Sequence, residues 1–413
     1  MSRIRVKYFG PIQEGLQQND GWLDFKKVTV FIGNQGSGKS TLAKLISSFS
    51  WIEKALVRGD YSAKWFERKN KLKNQLLTYH RLENYFKANG TGETSIRYEG
   101  DAFRISFEAG TLFIEEVKNR SYALPQIMYV PAERNFLSYI KSPKELKLVS
   151  ASLQEFLTEF DKAKEEMKSL LKLPVNDTEL EYDRLNETLN LKGAGYKVRL
   201  TEASSGFQSL VPLYLVSHHL AHTVRQQSKS GREPMSSEEI QRFKKGVEEI
   251  WSNESLGDEQ KRIALSVLSA KFNKTAFINI VEEPEQNLYP SSQQKLLYSL
   301  LELNNMNSGN KLLLTTHSPF LINYLTLAAK AHRIKLTAQN GFVTKKINLI
   351  VPEKSAVDGD DLAIYQFNEQ YGTISGLSSK YGLPSDANEL NEKLDESNEL
   401  FAQLLELQQE NEF

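Results

Sequence analysis

Residues 33–40 read Gly33-Asn34-Gln35-Gly36-Ser37-Gly38-Lys39-Ser40, and Thr41 follows. This spacing of glycines, one lysine and a hydroxyl suits a polyphosphate. Glycine at 33, 36 and 38 lets successive backbone N–H groups turn toward phosphate oxygens. Lys39 can reach the β- and γ-phosphates, and the Ser40 hydroxyl can join a Mg²⁺ ion. The expectation is a bound nucleoside triphosphate, ATP with Mg²⁺, cradled by residues 33–41.

Three further clusters could act on that nucleotide. The apolar run Phe277 to Val281 ends in Glu282-Glu283-Pro284-Glu285. Glu282 is placed to serve Mg²⁺, and Glu283 to orient the attacking water at the γ-phosphate. The bland alternative is a pair of glutamates that cap a strand, although two adjacent carboxylates repel without a cation nearby. Thr315-Thr316-His317-Ser318-Pro319 puts a histidine at another strand end, either sensing the γ-phosphate or merely structural. Ser204-Ser205-Gly206 opens a helix, which makes either an anion site or an ordinary N-cap. Asp358, Asp360 and Asp361 read as solvated loop charge.

These residues need elements to hold them. Val28 to Ile32 is β-branched and aromatic, as a buried parallel strand should be, and Leu42 to Ile46 has helical spacing. Ala276 to Val281 and Lys311 to Thr315 read as central strands, and Ile127 to Val130 as another, stopped by Pro131. Arg3 to Phe9 and Trp22 to Ile32 look extended. Segments near 95–98, 103–107 and 112–114 alternate as an antiparallel meander. Residues 51–90 read as helical and basic, with Lys64, Arg68, Lys69, Lys71 and Lys73. Residues 143–192 read as a charged helical arm, and Phe207 to Val224 as a buried helix. Ser228, Ser230, Gly231, Ser236 and Ser237 mark a loop before a charged helix. From Asp386 onward, leucines among acidic residues predict an amphipathic helix, with Asp386 and Glu389 as a capping box.

The 413 residues allow roughly two to three domains. Net charge is +0, so no global field favours nucleic acid, and the absence of cysteine excludes thiolate chemistry and disulfides. No leader-like N-terminus and no apolar run of membrane-spanning length is visible, so a cytoplasmic protein with no membrane partner is expected.

Phosphate loop, Ser-Ser-Gly-x-Gln, strand with Glu-Glu-Pro-Glu, then Thr-His-Ser-Pro, in that order, resembles the ABC-type ATPase superfamily. The soluble branch with chromosome-maintenance, recombination and overcoming-lysogenization-defect ATPases is the part it is similar to. The resemblance covers roughly residues 3–50, 125–135 and 196–350. It implies an α/β fold, an ABC-type P-loop ATPase head: a mixed sheet with helices on both faces, an antiparallel β meander and helical insertions. Residues 1–142 would form the first lobe, with a helical insert at 51–90, and 143–195 a helical insertion. Residues 196–350 would form the second lobe and 351–413 a C-terminal extension. By the same resemblance Ser205 and Gly206 would bind the γ-phosphate held by a second copy. Head-to-head ATP-sandwich dimers would then build a homo-oligomer, with Glu283 as catalytic base and His317 as switch histidine. Two departures stand out. Phe207 occupies a usual second glycine, and Ala132-Glu133 stands where the family's glutamine loop has glutamine, so Glu133 or Arg134 would take over. Tyr129-Val130-Pro131-Ala132-Glu133-Arg134 is similar to stand-alone ATPases of bacterial anti-phage operons. That implies a separate toprim-type nuclease effector and a phage-encoded trigger protein as partners. The alternative is a DNA-repair ATPase that clamps DNA on head closure, favoured by the basic segment at 64–73 but not by the neutral charge or short insertion. A transporter's nucleotide-binding subunit is a poorer fit still.

Overall fold

The apolar runs that bracket the motifs all join one seven-stranded mixed sheet. The computed structural model describes residues 2–411 apart from 87–92, 118–121, 140–149, 230–236, 254, 258–259, 262–263, 265–267, 269–273, 339–340 and 381. The start of the expected arm at 143, and Ser230, Gly231 and Ser236, therefore lie outside the described residues. The sheet strands are β1 (Gly15–Leu16), β2 (Val28–Gly33), β3 (Pro125–Val130), β4 (Ala276–Glu282), β5 (Lys311–Thr316), β6 (Leu362–Asn368) and β7 (Thr373–Gly376). Their order is β1-β7-β6-β2-β5-β4-β3. Five neighbours, β6, β2, β5, β4 and β3, run parallel, and β7 pairs antiparallel with β6.

Alternation along β2 explains why helices lie on both faces. Val28, Val30 and Ile32 face one core, and Phe31 faces the other. Phe31 packs with Leu42, Leu45 and Phe49 of α1 (Lys39–Val57). The opposite core receives α3 (Ser205–Lys229), α4 (Pro290–Asn304) and α5 (Pro319–Thr337), with α2 (Ala151–Glu165) further out. β2, β3 and β4 are buried along their whole length, as strands covered on both faces must be. The meander is present as Ser95–Glu99, Phe103–Glu108 and Thr111–Glu116, and it is completed by Arg3–Lys7 at one side.

Two elements differ from expectation. Of the residues described between 143 and 192, only α2 is helical. Residues 171–199 form a four-stranded antiparallel sheet. The charged residues hid a period of two, in which Leu180, Leu189 and Leu191 point inward. Turns there use left-handed backbone at Asn176, Asp177, Glu187 and Gly195, which a helix cannot accommodate. Of the residues described between 51 and 90, those up to Val57 belong to α1, and the rest hold only short helical turns at Ala63–Phe66, Leu72–Leu76 and Leu77–His80.

The C-terminal helix α6 (Glu389–Asn411) is present, but its cap is not Asp386. Asn388 Oδ1 accepts the Asn391 N–H at 3.2 Å, so the cap lies two residues later than the expected box. Among the described residues no helix is long and apolar enough to cross a membrane.

Candidate functional site

Strand β2 delivers the loop at the C-terminal edge of the parallel strands, where open α/β sheets place ligands. Gly33 adopts φ 138° and Gly38 φ 105°. A β-carbon at Gly33 would lie 2.4 Å from the Phe367 carbonyl oxygen, so only glycine lets β2 turn out beside β6. The N-terminus of α1 then points its free N–H groups into the loop. Lys39 is buried. Its ammonium donates to the carbonyls of Gly33 at 2.8 Å and Asn34 at 2.7 Å, crossing the loop from below. Burial pushes Lys39 down to about 8, against the pull of Glu283 and Glu285. Asn34 and Gln35 are exposed, and Asn34 Nδ2 donates to Glu369 at 2.8 Å. Ser37 donates to the Asn34 carbonyl at 2.7 Å. Gly36 has open space around it, Ser40 is half-buried, and Thr41 is buried on α1.

The carboxylates arrive from β4, two strands away. Glu282 is still in register with Thr315 of β5, and its side chain is buried. Its Oε2 accepts the Ala132 N–H at 3.2 Å, while Oε1 has no partner among the described residues. A buried carboxylate oxygen without a donor is costly unless a cation meets it. Glu282 and the Ser40 hydroxyl are hard oxygen ligands, so the donor set fits Mg²⁺. Glu283 leaves the strand with φ 43°, a left-handed backbone uncommon outside glycine. Both of its peptide groups are tied: its N–H donates to the Thr315 carbonyl at 2.9 Å, and its carbonyl accepts from Arg134 at 2.6 Å. The side chain emerges half-exposed, with its Oε1 3.7 Å from His317 Nε2. His317 stands lowered below the ordinary histidine range by burial and then by the Lys39 charge, so it is neutral at pH 7.

Sequence reasoning missed two members of this group and misread a third. Glu285 is held under the site: its Oε1 accepts from the Thr316 hydroxyl at 2.8 Å and the His317 N–H at 2.7 Å. Burial raises it. Its position in the Glu-Glu-Pro-Glu run was the only signal. Asn287, at φ 59°, donates its amide to Ser209 Oγ at 3.0 Å and binds the carboxylate turn to α3. Arg134, offered as a substitute sensor, is instead fully buried. Its guanidinium donates to the carbonyls of Pro131, Ser209, Glu282 and Glu283. Burial pushes it down to about 10, so it remains charged at pH 7. Glu133 is not among those contacts.

The structure thus brings residues 33–41, Glu282, Glu283 and His317 together. Ser205 and Gly206 lie apart. They head α3 beside the carboxylate turn, where a β-carbon on Gly206 would sit 2.9 Å from the Asn287 carbonyl oxygen. Among the described residues no hydrogen bond or ion pair joins them to the phosphate loop.

Against known proteins, the model of the AAA ATPase domain matches residues 60–322. Solved structures that align include the SMC head domain from Thermotoga maritima, at 9% identity over 92% of this chain and 98% of that one, TM-score 0.35. The Smc head domain with an extended coiled coil bound to the C-terminal domain of ScpA, from Pyrococcus furiosus, aligns at 12% identity over 98% and 100%, TM-score 0.38. A nucleotide-free ATP-binding cassette from an ABC transporter aligns at 12% identity over 92% of each chain, TM-score 0.31. No curated protein matches the sequence.

Proposed function

The chain belongs to the AAA ATPase domain family, and from that premise we propose that it is a Mg²⁺-dependent ATPase whose active unit is a pair of copies. The observation that carries this reading is the convergence of Lys39, Glu283 and His317 at one loop, with the buried carboxylate of Glu282 at the end of strand β4 on the same sheet edge. Ser40 and Glu282 would hold Mg²⁺, which when bound neutralises charge on the phosphate oxygens. Lys39 exchanges the Gly33 and Asn34 carbonyls for the β- and γ-phosphates. Glu283 accepts the proton of the attacking water as its oxygen bonds to the γ-phosphorus and the bond to ADP breaks. Neutral His317 donates its ring N–H to a γ-phosphate oxygen.

Ser205 is exposed and Gly206 half-buried at a helix N-terminus, and among the described residues no hydrogen bond or ion pair joins them to their own loop, which supports their use by a second copy in an ATP sandwich. The motif order, with Tyr129 to Arg134, supports a finer reading. The protein would act in the cytoplasm as sensor and scaffold of an anti-phage complex, similar to AriA, the ATPase subunit of the PARIS system. It would hold a toprim-type nuclease effector and release it on meeting a phage-encoded trigger.

Phosphate release and sedimentation with ATP and Mg²⁺ test the core of this reading. Lys39→Ala should bind no ATP, and Glu283→Gln should bind ATP, hydrolyse it slowly and accumulate as an ATP-bound dimer. Normal turnover by Glu283→Gln would refute the assignment of the base. Co-purification with a co-expressed toprim nuclease tests the finer reading.

A further inference from the structure

Strand β5 ends at Thr316 in the middle of the sheet, with β2 and its phosphate loop on one side and β4 with the carboxylate turn on the other. A parallel ladder joins neighbouring strands by evenly spaced bonds. Between β4 and β5 it runs one residue past the end of β4, where the Glu283 N–H donates to the Thr315 carbonyl at 2.9 Å. One step further, the same pattern would give the His317 N–H to the Glu283 carbonyl. That carbonyl is already taken. Arg134 donates to it at 2.6 Å, and Glu283 has turned out of the strand at φ 43°. The peptide that carries the histidine is thus left without its ladder acceptor.

Glu285 supplies a substitute. Its side chain reaches back from the turn, and one oxygen, Oε1, accepts both the His317 N–H at 2.7 Å and the Thr316 hydroxyl at 2.8 Å. The Thr316 oxygen accepts the Ser318 N–H at 2.9 Å, so residues 316–318 are gathered on a single carboxylate oxygen. Ser318 is in turn tied to α4, its hydroxyl donating to Gln293 at 2.6 Å. Oε2 of Glu285 is buried with no partner among the described residues. The carboxylate therefore works as an acceptor through one oxygen.

We propose that Glu285 is a positioning residue for hydrolysis: its Oε1 stands in for a strand carbonyl, fixes the His317 peptide, and so sets the 3.7 Å separation of the imidazole from Glu283. This inference rests on the role given to His317 above. Glu285 acts through the histidine and not on the nucleotide. Reach is what this role needs, and two variants separate reach from charge. Aspartate keeps the charge but draws the carboxylate back by one methylene. Glutamine loses the charge, yet its amide oxygen can accept both bonds while its NH₂ falls where Oε2 has no partner.

Single-turnover ATP hydrolysis by the full chain, with ¹⁵N-histidine NMR of the same proteins without nucleotide, tests this. His317→Ala identifies the His317 amide signal, and circular dichroism checks that each variant is folded. Glu285→Asp should slow hydrolysis about 100-fold, the effect of a misplacement of about 1 Å. It should move the His317 amide signal and leave ATP affinity within about threefold, less than the tenfold that 1.4 kcal/mol represents. Glu285→Gln should lose less than about tenfold, since a neutral acceptor is weaker than a carboxylate but still in place. In a His317→Ala background, Glu285→Asp should cost almost nothing more, because two residues that act as one are not additive. A full additional loss in that background overturns the proposal, since Glu285 would then act on its own. So does a slow Glu285→Gln beside a normal Glu285→Asp, which would make charge the requirement. An unmoved His317 amide in Glu285→Asp overturns it too. Native turnover by His317→Ala would instead refute the role given to the histidine, and the amide signal alone then decides whether Glu285 holds it.

Discussion

Replacing Arg134 by lysine isolates what the buried guanidinium does. Arginine reaches four carbonyls: Ser209 at 3.1 Å, Pro131 at 3.2 Å, and Glu282 and Glu283 at 2.6 Å each. Lysine keeps the charge but presents one nitrogen on a different stem. It can keep roughly two of those bonds, chiefly on one side of the fork. Two lost charge-assisted bonds at about 1.5 kcal/mol each give a cost of about 3 kcal/mol. That is well within the roughly 5–15 kcal/mol by which domains are stable, so the variant should fold. The loss falls where Glu283 is held at φ 43°, and a displacement of about 1 Å there should cost about 100-fold in kcat. Residues 33–41 receive none of the four bonds, so ATP affinity should stay within about threefold, below the tenfold that 1.4 kcal/mol represents. Urea unfolding followed by tryptophan fluorescence gives the stability, and single-turnover ATP hydrolysis gives the rate. Arg134→Lys with native stability and native kcat would refute the reasoning. Lost ATP affinity at unchanged kcat would refute it equally.

His80 is buried with neither ring nitrogen partnered among the described residues, and burial pushes it down to about 3. The unfolded chain takes up this proton below about 6.5 and the folded chain does not, so the group makes stability fall as pH drops from 6.5 toward 3. Between pH 6.5 and 5 this amounts to about 1.6 kcal/mol, which His80→Phe should remove. Urea midpoints at the two pH values decide it; equal acid sensitivity of variant and native chain counts against the assignment. Gly206→Ala must displace the Asn287 carbonyl from a 2.9 Å approach. It should leave ATP binding to the single chain unchanged while lowering ATP-dependent pairing and turnover about tenfold, the effect of roughly 1.4 kcal/mol. Unaltered steady-state hydrolysis would contradict that.

The phosphate loop and the strands behind it were legible because their chemistry is local. Glycines at 33, 36 and 38, an apolar strand and a following helix lie within a short stretch, and the fold repeats that order. Glu282, Glu283 and His317 were legible because each ends an apolar strand, and parallel strands end at one edge. Arg134 was not legible as a buried clamp. Its four acceptors come from the segments at 131, 209 and 282–283, and nothing short of the assembled fold pairs them with one guanidinium. The strands at 171–199 escaped notice because outward-facing charges dominate their composition, although Leu180, Leu189 and Leu191 keep a period of two. Asn388 displaced Asp386 as helix cap because Gln366 on β6 holds the Glu389 N–H and so fixes where the first turn begins.

That anchor on β6 has a geometric consequence. Gln366 stands opposite Ile32 in the sheet, one residue before the strand reaches the phosphate loop. The direction in which α6 leaves the head is therefore referred to the strand paired with the one that carries the phosphate loop. Its 23 residues make a lever about 34 Å long at 1.5 Å per residue. A head-to-tail contact made at the end of such a lever has a repeat angle, and that angle decides whether successive copies close into a ring or run on as a filament. A tilt of a few degrees at Asn388 moves the far end of α6 by more than an ångström. The curvature of any assembly built this way would be written at the base of one helix.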